Sequence, residues 1–379
     1  MNRTVGRESL HVLNILLTNS SNMYGGGEFY VLELAKELAK RGHNVIVTCK
    51  PDNLLKKKCD DAGVKTLPYD FPEMGKLAAS INRLKRVIQR EKIHIVHTNT
   101  NYDRTAGAFA ARLAGAKHVT NVHSFHSLSH NLTHWVRNKW ATDHFLVDGL
   151  CVKELLVLED KISPKKISVV YLGVDPESMK KNESQRRRVR GELSIEDHHL
   201  VIGNVGRLVP MKGQTYLLDA FALVVKKFPD ARLLLVGDGE LDKELRAKSK
   251  EHNIIEQVLF AGFRDDLVAM YSAFDMYAHS SIEGGGETFP FAVLQALAQE
   301  LPVVVTKVGD VPAMVDEGVN GFVVPEKNPP AFANKLTMLL SNEILRVTMG
   351  QASRKRLLER FTIEKMVDGV EKIYNGLFM

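Results

Sequence analysis

Short, continuous apolar runs rich in β-branched residues alternate with helical patterns along the whole chain, and this alternation constrains the fold more than any other feature. "VLNILLT" (12–18) precedes "EFYVLELAKELAKRG" (28–42), whose Phe29, Leu32 and Leu38 fall at helical spacing. "NVIVTC" (44–49), "IHIVHTN" (93–99), the small-residue helix "AGAFAARLAGA", "HVTNVH" (118–123), "HFLVDG" and "ISVVYLGVD" (167–175) complete a first half. Strands that are apolar throughout, rather than on alternate residues, belong to a parallel sheet covered by helices on both faces.

The stretch 176–198, "PESMKKNESQRRRVRGELSIEDH", is polar and charged, and is expected to mark the domain boundary. The strand–helix alternation then restarts with "LVIGNVGRL", "QTYLLDAFALVVKKF", "RLLLVGDG", "VLFAGF", "DMYAHS", a helix expected over 287–299, "PVVVT" and "FVVP". The expected architecture is α/β: two tandem Rossmann-like, doubly wound parallel-sheet domains with a ligand crevice at the carboxyl ends of their strands. Their expected spans are 1–180 and 195–360, with a helix over about 360–379 closing the chain.

At 379 residues and 44% hydrophobic content, two such cores are affordable in size. A net charge of +6 favours acidic partners such as a phosphorylated ligand or anionic lipid. The clusters at 56–58, 82–92 and 185–190 read as solvated helix faces. Three cysteines without a C-x-x-C fit a reduced, cytoplasmic protein. No apolar run approaches the length of a membrane span.

Three stretches could carry chemistry. In "TNSSNMYGGGEFYVLELAKEL", Gly25, Gly26 and Gly27 lead from the first strand into a helix, where exposed N–H groups attract anions. A dinucleotide fingerprint would need glycine where Tyr30 stands, and the second strand ends in "TCK" without an acid for a ribose. In "GNVGRLVPMKGQ", Arg207 and Lys212 flank a strand's carboxyl end, a guanidinium fork and a point charge suited to a diphosphate. In "SSIEGGGETFPFAVLQALAQELPVVVT", a glycine-rich loop leads to Glu287, Thr288 and Phe289, read as the first residues of a helix. There Glu287 could simply complement the helix dipole.

With these three in this order, the sequence resembles the family-4 retaining glycosyltransferases of the GT-B fold over nearly its whole length. The resemblance rests on "GGGEFYVLELAKELAKRGHNVIV", "HSFH", "ISVVYLGVD", "GRLVPMKG", "LLLVGDGE", "VLFAGF", "HSSIEGGGETFP", "QALAQELPVVVT" and "VPAMVDEGVNGFVVP". It implies two domains facing each other across a cleft, an acceptor-binding N-terminal one and a donor-binding C-terminal one, with the last helix packing back on the former. It implies transfer of a sugar from a nucleotide-diphosphate donor to a saccharide or lipid-linked saccharide acceptor, with retention of configuration. Cell-envelope polysaccharide, lipopolysaccharide or glycolipid synthesis at the inner face of the membrane would be the setting. No metal or other cofactor and no nucleic acid is implied.

Residue by residue, the resemblance gives Arg207 and Lys212 the donor diphosphate, and charge neutralisation as the nucleoside diphosphate leaves. Glu287 is the first acid of an E-x7-E pattern and contacts the transferred sugar; backbone N–H groups of Thr288 and Phe289 face the sugar and diphosphate. Gly25, Gly26 and Gly27 would close over the diphosphate from the other domain, and backbone at Gly262 and Arg264 would meet the base. His123 corresponds to a histidine near the transferred sugar.

Two positions depart from the family pattern. Leu172 stands where Asn is common. Gln295 replaces the second acid, which accepts hydrogen bonds from both ribose hydroxyls. An amide offers one acceptor and one donor group, so two weaker neutral bonds remain available.

Other readings stay open. A sugar-nucleotide 2-epimerase-like isomerase on the same fold, or a non-catalytic nucleotide-sugar-binding protein, would share the strands and loops. His126, His130 and His134 would share one face if helical, a metal arrangement that no H-E-x-x-H or cysteine pair supports. Helix 74–92 carries a stripe of Leu77, Ile81, Leu84 and Ile88 among Arg and Lys, a face for its own domain or for a membrane surface.

Overall fold

In the computed structural model, residues 12–22, 24–69, 71, 76–123, 125–128, 131–284 and 286–379 are described. The chain forms two units: Met1–Val170 with Met366–Met379, and Tyr171–Lys365.

The first unit is a seven-stranded sheet of β1 (Asn14–Thr18), β2 (Asn44–Cys49), β3 (Lys65–Pro68), β4 (Ile95–Thr98), β5 (Lys117–Val122), β6 (His144–Val147) and β7 (Ile167–Val169). All pairs are parallel, in the order β3-β2-β1-β4-β5-β6-β7. Its helices are α1 (Gly26–Lys40), α2 (Leu54–Asp61), α3 (Leu77–Arg90), α4 (Asn101–Ala114), α5 (Leu132–Val136) and α6 (Leu150–Leu158). Leu16 lies opposite Ile46 on one side and Val96 on the other, so β1 and β4 form the point where the winding reverses. In such sheets the crevice beyond the carboxyl ends at that point receives ligands.

The stripe on α3 is used internally. Leu84 and Ile88 are buried and Ile81 packs beside them, in a cluster with Leu16, Val96 and Ala110. Met74 and Gly75, which open the helix expected from the sequence, lie outside the described residues.

The second unit holds β8 (Leu200–Val205), β9 (Ala231–Val236), β10 (Val258–Gly262), β11 (Met276–His279), β12 (Val303–Thr306) and β13 (Gly321–Val324), after α7 (Glu183–Glu192). The order is β10-β9-β8-β11-β12-β13, again all parallel, with the reversal between β8 and β11. The helices that follow are α8 (Gln214–Val225), α9 (Asp242–Glu251), α10 (Leu267–Ser272), α11 (Phe291–Ala298), α12 (Pro329–Ser341), α13 (Glu343–Arg360) and α14 (Ile363–Gly376). Every residue of "VVVT" in β12 is buried, as a strand covered on both faces requires.

The polar stretch expected at the domain boundary is built into the second unit. Arg186 reaches Asp275 at 2.7 Å and the carbonyls of Ser272 and Phe274 at 3.0 Å; Arg190 is buried beside the same carboxylate. The basic run 185–190 is therefore an anchor rather than a wholly solvated face, and the division falls at 170/171. Sequence pattern alone could not separate these cases, because arginines pinned to a strand start look like any charged helix face.

Most of α14 returns to the first unit. Tyr374 Oη lies 2.6 Å from His97 Nδ1, Glu371 is 2.9 Å from His43, and Asp368 and Glu371 both pair with Arg41 at 2.7 and 2.6 Å. Among the described residues no helix is long and apolar enough to cross a membrane.

Candidate functional site

At the reversal point of the second sheet, two loops are locked together. β8 ends at Val205; Gly206 and Arg207 follow, then a short 3-10 turn, Pro210–Lys212, and Gly213 with φ +63°. A Cβ at Gly213 would lie 2.0 Å from the Ser280 carbonyl oxygen, so both the left-handed backbone and the close approach require glycine. Ser280 Oγ donates to the Lys212 carbonyl at 2.8 Å, and the Ile282 amide donates to the Met211 carbonyl at 2.9 Å.

These contacts deliver Lys212 to Glu287. The ammonium bonds Glu287 Oε2, Ser281 Oγ donates to the same oxygen at 2.9 Å, and His279 Nε2 stands 3.6 Å away. Burial pushes the Glu287 carboxyl up, but Lys212 and His279 outweigh it and hold the group well below the usual carboxylate range. Burial pushes the His279 imidazole down, against the opposing pull of Glu287. The backbone is fixed from the far side: a Cβ at Gly309 would fall 2.4 Å from the Glu287 carbonyl, and the Asp310 amide donates to Thr288 at 3.0 Å.

Glu287, Thr288 and Phe289 do not open the helix, in contrast to the sequence expectation. α11 begins at Phe291 with Pro290 in an extended conformation at its N-cap. The ring of Pro290 disfavours helical backbone at Phe289, which moves the start downstream. Glu287 thus lies outside the first turn, and a dipole-complementing role gives way to the Lys212 contact. Phe289 is 2% exposed and stacks on Tyr171, ring centres 4.9 Å apart, with Phe361 edge-on at 5.3 Å. Thr288 is buried.

Arg207 is exposed, and among the described residues its guanidinium has no partner. Gln295 is only 7% exposed, yet its side-chain amide has no hydrogen-bond partner among the described residues. Buried amides are ordinarily bonded, so this one is available to a ligand. Gly262 has φ +68° at the end of β10, and its carbonyl accepts from the Gly237 amide at 2.8 Å. The Arg264 side chain is held by Asp266 at 2.8 Å and by Glu192, leaving its backbone as the group that could meet a ligand.

In the first unit, Gly25 caps α1 with extended backbone, and its amide donates to Glu28 Oε2 at 2.9 Å. The other Glu28 oxygen accepts from Asn19 Nδ2 at 3.0 Å, tying the loop to the end of β1. A Cβ at Gly27 would meet no atom within 4 Å, and neither Gly25 nor Gly27 has positive φ. Gly25 and Gly26 are exposed. The fold does not need glycine at 25 or 27, so close approach of a ligand is the remaining physical use.

His123 follows β5. Its Nδ1 is 2.8 Å from Asp148 Oδ2, and its Nε2 is 3.1 Å from Asn121 Nδ2. A carboxylate only accepts, so Nδ1 carries the proton and Nε2 accepts from the amide. Tyr30 packs edge-on at 4.9 Å. Asp148 was missed from sequence, although an acid directly after a buried strand ("HFLVD") was the available signal. His279, the last residue of β11, and Ser281 just beyond it in "AHSS" were missed as well.

The histidine triplet is not a shared helix face. α5 begins at Leu132, so only His134 of the three lies on it; His126 is in the preceding loop, 3.2 Å from Asn101 Oδ1. His130 lies outside the described residues. Among the described residues His198, His199 and Asp230 could gather round an ion, at the amino end of β8. Both ring nitrogens of His199 are engaged, by the Glu196 amide at 3.0 Å and Arg232 at 2.6 Å, so that cluster does not present three free ligands.

A lysine paired with a largely buried carboxylate at a sheet's reversal point suits a ligand with both anionic and hydroxyl groups. The family profile described as Glycosyltransferase Family 4 matches residues 24–178, and that described as Glycosyl transferases group 1 matches residues 185–356. The Escherichia coli UDP-Gal:alpha-D-GlcNAc-diphosphoundecaprenol alpha-1,3-galactosyltransferase is 27% identical over 314 residues, 78% of each chain. The Bacillus anthracis N-acetyl-alpha-D-glucosaminyl L-malate synthase is 25% identical over 92% of this chain and 93% of its own. Among solved structures, Anabaena Alr3699/HepE in complex with UDP superposes with a TM-score of 0.85 at 22% identity, covering 96% of this chain and 100% of that one. A glycosyltransferase from Rickettsia africae ESF-5 gives 0.89 at 20% identity, over 97% and 99%. The chain belongs to the family-4 glycosyltransferases of the GT-B fold.

Proposed function

We infer that this protein is a retaining glycosyltransferase that moves a hexose-type sugar from a nucleotide-diphosphate donor to a saccharide or lipid-linked saccharide acceptor in cell-envelope glycan synthesis. The observation that carries the donor assignment is the Lys212–Glu287 pair, backed by Ser281 and His279, with the exposed Arg207 five residues before Lys212. The setting is supported by the Escherichia coli relative, whose name specifies UDP-Gal and a diphosphoundecaprenol-linked sugar. The Anabaena neighbour was solved with UDP and with UDP-glucose.

In this reading Arg207 and Lys212 hold the diphosphate and neutralise charge as the glycosidic oxygen of the donor leaves, each charge-assisted bond contributing about 1.5–3 kcal/mol. These two cations would take the place of a divalent metal, so turnover should survive chelation. Glu287, kept ionised, accepts hydrogen bonds from hydroxyls of the transferred sugar. Thr288 and Phe289 supply backbone amides to the sugar and diphosphate. Gln295 meets the ribose, and backbone at Gly262 and Arg264 meets the base. Gly25, Gly26 and Gly27 admit the diphosphate, and His123, held in one tautomer by Asp148, is the polar group offered to the sugar. The enzyme acts in the cytoplasm at the inner face of the membrane.

Incubation with UDP-, GDP- and ADP-sugars, with and without lipid-linked acceptors and with EDTA, tests this. Release of nucleoside diphosphate with a product of unchanged anomeric configuration is expected. An epimerised donor, an inverted product, or binding without turnover would each overturn the reading.

A further inference from the structure

The second unit begins at Tyr171 and ends at Lys365, and its two end segments run side by side. Val174 and Thr362 form a parallel bridge; the Val174 amide donates to the Phe361 carbonyl and the Ile363 amide to the Val174 carbonyl, both at 3.1 Å. Gly173 admits this approach, because a Cβ there would lie 2.3 Å from the Thr362 carbonyl oxygen. An aromatic cluster grows on this seam. Tyr171 stacks on Phe289 with ring planes 25° apart, Phe361 meets both rings edge-on at 5.7 and 5.3 Å, and the Arg360 guanidinium lies 5.4 Å from the Phe361 ring centre.

Phe289 stands two residues after Glu287. Backbone at Glu287 is fixed by the Lys212 contact and by Gly309, and the Thr288 carbonyl by the Asp310 amide. Beyond them the Phe289 N–H has no acceptor among the described residues, although the residue is 2% exposed. A backbone donor so placed is ordinarily bonded, so this one is available to a ligand. Its direction depends on rotation about the Phe289 N–Cα bond, and that rotation would also swing the ring. Pro290 already restricts the other backbone torsion of Phe289. With the ring held in the stack on Tyr171, the amide keeps one direction before anything binds. A donor preorganised in this way needs no reordering when it meets negative charge.

We propose that Tyr171 is a positioning residue for the donor: by clamping the Phe289 ring it aims the Phe289 amide at a phosphate oxygen of the donor diphosphate. The inference rests on the transferase reading of Lys212 and Glu287, and adds to it a side chain from the first residue of the second unit. Tyr171 itself needs no contact with the donor.

Calorimetric titration of the full chain with UDP, GDP and ADP identifies the nucleotide that the parent binds, and the same nucleotide is then applied to Tyr171→Leu, Phe289→Leu and the double variant. Tyr171→Leu should raise Kd about fivefold, the scale of one lost hydrogen bond, Phe289→Leu by a similar factor, and the double variant no further than either alone. Tyr171→Phe, which keeps the ring, should bind like the parent. Val174→Ala, which trims a fully buried side chain on the same seam, should lower the melting temperature and leave Kd unchanged. Undiminished affinity in Tyr171→Leu or in Phe289→Leu, losses that add in the double variant, or an equal loss in Val174→Ala would overturn the proposal while the transferase reading stands. A parent that binds none of the three nucleotides would overturn both.

Discussion

Lys212 and Glu287 are 75 residues apart, and the ammonium of one bonds the same carboxylate oxygen that accepts from Ser281 and faces His279. The carboxylate is thus held charged in a partly buried place, where its second oxygen remains for a ligand. Glu287→Gln and Lys212→Ala should each lower kcat/KM by about a hundredfold or more, the scale of losing one preorganised charge at a reacting centre. Lys212→Ala should also lower stability by about 1–3 kcal/mol, because it leaves the carboxylate without its cation. Adding Glu287→Gln to it should recover part of that loss in thermal melts, which a pair acting independently would not do.

Acid should destabilise the protein in two stages. His97 is pushed down from 6.5 to about 3 by burial, with repulsion from His123 adding to it. Below 6.5 the unfolded chain takes up this proton and the folded one does not, so stability falls by up to about 1.4 kcal/mol per pH unit until about 3. Glu287 acts below that onset: its folded value lies under the ordinary 4.5, so its contribution is complete above 4.5 and is lost as pH drops further. Urea midpoints measured against pH should show a shallower acid slope for His97→Gln above 4.5, and for Glu287→Gln only beneath it.

Gly27→Ala separates folding from binding. Alanine is the better helix former by about 0.5–1 kcal/mol, and its Cβ meets nothing within 4 Å. The variant should melt at the same temperature or higher while kcat/KM drops at least several-fold. Unchanged turnover would return this glycine to the role of a plain helix start.

Gln295 tests the departure from the family pattern. Donor affinity should weaken by about 1 kcal/mol in Gln295→Ala, which removes a neutral hydrogen bond, and tighten in Gln295→Glu. Calorimetric titration with the donor nucleotide checks both, and no change in either would place the ribose elsewhere.

The repeating strands and the glycine loops were legible because local pattern determines them: "VVVT" and "LVIGNV" are buried strands wherever they occur. Lys212 and Arg207 were visible as cations past a strand's end; the structure pairs Lys212 with Glu287 and leaves Arg207 exposed after the same strand. The helix start was misplaced by four residues because the single acid in "GETF" outweighed Pro290, whose constraint on Phe289 is equally local and was available. Lys212 reaches Glu287, 75 residues on, through the Gly213–Ser280 approach, a contact between loops that no spacing encodes. Asp148 was visible as an acid after a strand, but not its pairing with His123, nor that of Arg186 and Arg190 with Asp275, over 80 residues away in the chain. The stretch 126–134 misled in the opposite direction: its three histidines drew notice as one helix face, but of them only His134 lies on α5.

The most direct test of the donor assignment is calorimetric titration of the purified protein with UDP, GDP and ADP, alongside Lys212→Ala and Arg207→Ala. One nucleoside diphosphate should bind with one-to-one stoichiometry in the presence of EDTA, and each substitution should weaken it at least tenfold, about 1.4 kcal/mol. Failure of all three to bind, or binding that neither substitution alters, would contradict a nucleotide-sugar site built on these cations.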